Sequence, residues 1–110
     1  MTIEAINKMV EEIGLPFDYY EFPKGTGQDP PYVVWFLSQD SDFHADNKNY
    51  CDIETLNIEL YTSEKNFDLE KQVESVLKGH DLSYHKESAK IDSERIWQTS
   101  WEMEVLINES

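Results

Sequence analysis

"DIETLNIELYTSEKNFDLEKQVESVL", Asp52 to Leu77, changes its period half-way along. Up to Thr62, Leu56, Ile58 and Leu60 alternate with Thr55, Asn57 and Glu59. That period of two belongs to a strand with one face against a core. From Phe67 onward, Phe67, Leu69, Val73, Val76 and Leu77 form an apolar stripe at helical spacing. Asn66 or Asp68 supplies an N-cap and Gly79 a stop. A half-buried strand followed by an amphipathic helix requires a layered fold, in which helices cover a sheet face.

The flanking sequence extends this pattern. Ile3, Ile6, Met9 or Val10, and Ile13 recur at helical spacing, with Thr2 as cap and Gly14 followed by Pro16 as stop. "FDYYEF", Phe17 to Phe22, reads as a strand, and its flanking prolines suit a sheet edge. In "GTGQDPPYVVWFL", Gly25 to Leu37, Pro30 and Pro31 stiffen the approach to Tyr32–Leu37, a run apolar on both faces. That run fits either a central strand or one whose second face meets a partner. Near the C-terminus, "LSYHKESAKID" reads as a polar strand. In "RIWQTSWEMEVLI", Trp97, Thr99, Trp101, Met103, Val105 and Ile107 share one face. The short connection at Asp92, Ser93 and Glu94 predicts a closing hairpin. The expected order is α-β-β-β-α-β-β: one α+β domain over residues 1–110, with a mainly antiparallel sheet of about five strands packed by two helices in two layers.

Composition narrows the function. The 110 residues carry 23 acidic and nine basic side chains, a net charge of −14. Residues 1–64 hold −10 of it and residues 65–110 only −4. Binding nucleic acid or an anionic membrane requires clustered cations, so this balance argues against both. The N-terminal "MTIEAINKMVEEIG" lacks a basic segment leading into an apolar one, and no apolar run approaches the ~20 residues that cross a bilayer. The expectation is a soluble protein made in a cytoplasm. Cys51 is the only cysteine, which leaves no intrachain disulfide.

Several candidate sites fail on their chemistry. Gly25 and Gly27 lead into prolines and a strand, whereas a phosphate loop opens a helix with free amides. "PPY" places Tyr32 one residue too early for a Pro-Pro-x-Tyr ligand, and the run after it calls for burial. Asp40 and Asp42 match the first and third positions of a calcium loop, but His44, Ala45 and Cys51 break the pattern. Asp42, His44 and Asp46 remain a weak divalent-cation candidate in what reads as a solvated loop with Phe43 packed down. Cys51 with His44 or His85 lacks an orienting third group, and no carboxylate pair stands out from the acidic background. No catalytic, cofactor-binding or metal residues are therefore expected, and no enzymatic activity. The remaining signal is aromatic. Tyr32, Trp35, Trp97 and Trp101 are candidate interface residues, because aromatics are enriched in interface cores. The loop Phe43, His44, Ala45, Asp46, Asn47 is a candidate interaction segment.

Read in order, "EEIGLPFDYYEFPKG", "DPPYVVW", "DFHADNKNY", "LNIELYTSEKNFDLEKQVESVL" and "WEMEV" resemble small head–tail assembly proteins of long-tailed phages and prophages of Gram-positive bacteria. The likeness is to tail-terminator or tail-to-head joining components. It implies an α/β fold, a ring at the head-proximal end of the tail, and partners among tail and head-connector proteins. It also implies location in the virion after assembly in the host cytoplasm, and no catalysis. An acidic lumen would let DNA slide without sticking. The alternative is a stand-alone acidic binding module of the cytoplasm, regulatory or mimicking nucleic acid.

Overall fold

The structure, a computed structural model, describes residues 1–21, 28–39 and 51–108. Two helices and five strands follow in the order α1 (Ile3–Glu11), β1 (Phe17–Tyr19), β2 (Tyr32–Gln39), β3 (Cys51–Thr62), α2 (Phe67–Gly79), β4 (His85–Ile91) and β5 (Ile96–Asn108). The predicted α+β class and element order hold.

Both helices start where the sequence supplies a cap. The Ala5 amide donates to Thr2 Oγ1 at 3.0 Å, and the Leu69 amide to Asn66 Oδ1 at 3.0 Å. Each bond satisfies one of the amides that a first turn leaves without an intrahelical acceptor. α1 ends at Gly14, whose φ of +86° lies in the left-handed region that side chains with a Cβ resist. α2 ends differently from expectation. Gly79 stays helical, and Asp81 takes the left-handed position with φ 58°. The Leu82 amide reaches back to the Leu77 carbonyl at 3.0 Å, and the Asp81 amide to that of Lys78 at 3.0 Å. Two of the carbonyls at the helix end are satisfied in this way.

The sheet order is β1-β2-β3-β5-β4. β2–β3, β3–β5 and β4–β5 are antiparallel, and the last is the expected closing hairpin. β1 pairs with β2 in parallel, Phe17 opposite Val33 and Tyr19 opposite Trp35. It is also shorter than the Phe17–Phe22 run, because Tyr20 adopts φ 67° and turns the chain away. The twelve residues between Tyr19 and Tyr32 suffice for the crossover that parallel pairing requires. β3 takes the centre of the sheet. β2 is an interior strand beside it, one place from the β1 edge.

Register sorts the side chains cleanly. Val33 and Trp35 of β2, Leu56, Ile58 and Leu60 of β3, and Trp101, Met103, Val105 and Ile107 of β5 form one face. Ile6, Met9, Val10 and Ile13 of α1 and Val73 and Leu77 of α2 pack on that same face and complete the core. The helices tie to each other as well: Gln72 donates to the Ile13 carbonyl, and His80 Nε2 meets Glu12 Oε2 at 3.0 Å. Among the described residues, no helix lies over the second sheet face.

Candidate functional site

The uncovered face is built from the alternate residues of the same strands. On β2 these are Tyr32, Val34 and Phe36, facing Tyr61, Glu59 and Asn57 of β3. β5 adds Gln98, Ser100, Glu102, Glu104 and Leu106. At the β2 side the chain covers this face with its own rings. Tyr32 stacks on Tyr61 with centroids 4.9 Å apart, and Tyr20 meets Phe36 edge-on at 5.3 Å. Val34 is buried on this face, outside the main core cluster. The apolar character of both sides of β2 is thus met within the chain. Asn57 is also buried here and donates to Ser38 Oγ at 3.0 Å.

Burial raises the Tyr32 hydroxyl above its ordinary range, and the nearby Glu94 and Glu59 add to the effect. Tyr61 is raised further, first by burial and then by its 2.8 Å hydrogen bond to Glu59. Both phenols are neutral donors over the physiological range.

Farther along, Ile53 and Leu106 are direct cross-strand partners on the open face, 53% and 56% exposed. Two branched aliphatic side chains side by side in water mark a surface that gains from being covered. Glu59, Glu87, Glu102 and Glu104 share this face by register and surround its apolar part with negative charge.

The four candidate interface aromatics divide. Trp35 and Trp101 lie in the core, 2% and 0% exposed, so they pack the chain itself. Trp35 is met edge-on by Tyr19 at 4.8 Å. Trp101 Nε1 donates to Glu74 Oε2 at 3.2 Å. Tyr32 and Trp97 keep exposed area and remain surface candidates. The interaction segment Phe43–Asn47 and the cation candidate Asp42, His44 and Asp46 lie outside the described residues. Among the described residues, no three His, Cys, Asp or Glu side chains are grouped to hold a metal, and no helix is long and apolar enough to cross a membrane.

A charge cluster that periodicity did not reveal joins α2 to the hairpin. Glu70 is buried, with Lys65 Nζ 2.9 Å from Oε2 and Lys86 Nζ 2.9 Å from Oε1. The Lys86 contact is an ion pair without hydrogen-bond alignment at Oε1. Lys86 also reaches Glu74 at 2.7 Å, and Lys65 donates to Ser88 Oγ at 2.9 Å. Burial alone would raise the Glu70 carboxyl, but the two ammonium groups outweigh it and hold it below its ordinary value. Burial alone would lower Lys86, and Glu74 and Glu70 outweigh it and raise it. Every charge here is matched within the chain, so the cluster locks the fold and offers nothing to a substrate. The apolar stripe read from the sequence included Phe67, which is 64% exposed, and passed over Glu70. Its signal was Lys65 and Lys86 on the elements to either side.

No protein-family model matches the chain, and no curated protein matches its sequence.

Proposed function

We propose that this chain is a non-enzymatic structural protein that acts by assembly, a tail-terminator or head–tail joining component of a long-tailed phage. In this reading it meets copies of itself and neighbouring virion proteins. The carrying observation is the open sheet face, where Ile53 and Leu106 stand exposed side by side. A two-layer domain with one bare face and two dissimilar sheet edges, β1 and β4, offers different surfaces to different neighbours. Unlike surfaces permit head-to-tail contacts, and such contacts close into rings when the rotation allows.

The acidity fits the same reading. The charge of −14 lets a ring surround passing DNA without adhering to it. The carboxylates on the open face, Glu59, Glu87, Glu102 and Glu104, also suit the second reading, an acidic module that competes with nucleic acid for a basic partner.

Deleting the gene from an inducible prophage separates the two. Assembly failure would appear in electron micrographs as unjoined heads and tails, or tails of abnormal length. Intact infectious particles from the deletion strain would overturn the structural role.

A further inference from the structure

The hairpin end of the molecule carries a cleft that neither the core nor the open face accounts for. It has a volume of about 410 Å³ and lies between the β3–α2 connection and the β4–β5 hairpin. Lys65, Lys90, Arg95 and Trp97 line it, in a protein with nine basic residues in all. We propose that this cleft docks an acidic peptide segment of a partner protein, one carrying carboxylates beside an aromatic or apolar side chain.

Three independent features support this. First, Arg95 is the only arginine of the sequence, and its side chain has no ion pair or hydrogen bond among the described residues. A guanidinium fork matches a carboxylate in two-point geometry, which an ammonium does not. Second, Arg95 sits at φ 55°, a conformation that glycine or asparagine adopts at less cost. Strain of this kind persists where the side chain has a task. Third, the wall beside the cations is aromatic. Lys65 Nζ lies 5.5 Å from the centre of the Trp97 ring and 5.2 Å from that of Phe67. Phe67 is itself exposed, so an incoming side chain finds ring faces as well as charge.

The same cleft disfavours a polyanion. Glu64 and Asp92 also line it, and Asp92 lies 3.8 Å from Lys90. A long nucleic acid would in addition meet the field of the whole −14 molecule. A short segment feels mainly the local cations, because charges farther off than the ~8 Å screening length at physiological salt contribute little. Recognition of acidic motifs by basic and aromatic pockets is an established mode of peptide capture. This proposal does not rest on the assembly role above.

The test uses the intact protein and its own fluorescence. Trp35 and Trp101 are buried, so a surface ligand changes the emission of Trp97. Titration with a synthetic peptide of Asp and Glu residues around one Phe is expected to give a saturable change that weakens with added salt. Arg95→Glu should weaken binding about tenfold, twice over the few-fold worth of one exposed ion pair. Arg95→Gly removes the guanidinium and relieves the backbone, so it should melt no lower than the wild type while binding several-fold more weakly. No saturable change, or equal binding by both variants, would overturn the proposal. So would inorganic phosphate or a single-stranded oligonucleotide binding as tightly as the peptide.

Discussion

Glu70 is the residue on which the α2 end of the fold most depends. Its side chain is 3% exposed, and its charge is balanced only by Lys65 from one side and Lys86 from the other. Removing one member of a buried charge cluster leaves the rest uncompensated, which costs ~3 kcal/mol or more. Here both ammoniums are about a third exposed and keep second partners, so Glu70→Gln should fall at about 3 kcal/mol. The same group sets part of the pH response. Its folded pKa lies below the ordinary 4.5, so its contribution is complete above that value and is lost as pH falls through the folded pKa. Lys86 behaves oppositely. Its contribution is complete below 10.5 and is lost as pH rises through its raised folded value. Urea midpoints followed from pH 7 to pH 3 should drop in the wild type and drop less in Glu70→Gln. Parallel curves would show that Glu70 does not titrate with folding.

At the scale of elements, most of the fold was legible because each strand and helix announces its own period. The alternation in β3 and β5 predicted which side chains enter the core, and Thr2 and Asn66 predicted both helix starts. What stayed hidden depends on distant partners. The parallel sense of β1 cannot be read from Phe17–Tyr19, since nothing in three residues says which way their neighbour runs. Glu70 reads as a surface residue of α2 until Lys86, sixteen positions later on β4, is placed beside it. The stop at Asp81 was missed because Gly79, the residue best suited to a left-handed turn, lies two positions earlier and stays in the helix. Of the candidate site, the aromatic signal was real, but burial assigns Trp35 and Trp101 to the core and leaves Tyr32 and Trp97 at the surface. A cap that was legible is also testable. Asn66→Ala removes the acceptor for the Leu69 amide and should lower stability by ~1 kcal/mol, read as a shift of the urea midpoint without a change of slope. An unchanged midpoint would mean that water replaces the side chain fully.

Across the whole molecule, self-repulsion outweighs every other long-range electrostatic effect. Twenty-three carboxylates against nine cations leave −14 on 110 residues, and seven of the nine cations lie in the described segments. Among the described residues, the ion pairs outside the Glu70 cluster are exposed ones: Lys8 with Glu4 at 3.6 Å, Lys90 with Asp92 at 3.8 Å, and two histidine contacts at 3.0 and 3.1 Å. Such pairs contribute ~0–1 kcal/mol each and weaken with salt. Repulsion among the many unpaired carboxylates acts against the compact state and also weakens with salt. The two effects have opposite signs, and the excess of carboxylates decides between them. Buried pairs are screened far less, so the Glu70 cluster stays out of the balance. Raising sodium chloride from about 0.01 M to about 0.15 M shortens the screening length from ~30 Å to ~8 Å, shorter than most separations across the sheet. The melting temperature should therefore rise over this interval, by several degrees, and then level off. Calorimetry in a series of salt concentrations reads it directly. A fall over the same interval would mean that the exposed pairs outweigh the repulsion, and that the acidic surface is more closely compensated than the sum of charges implies.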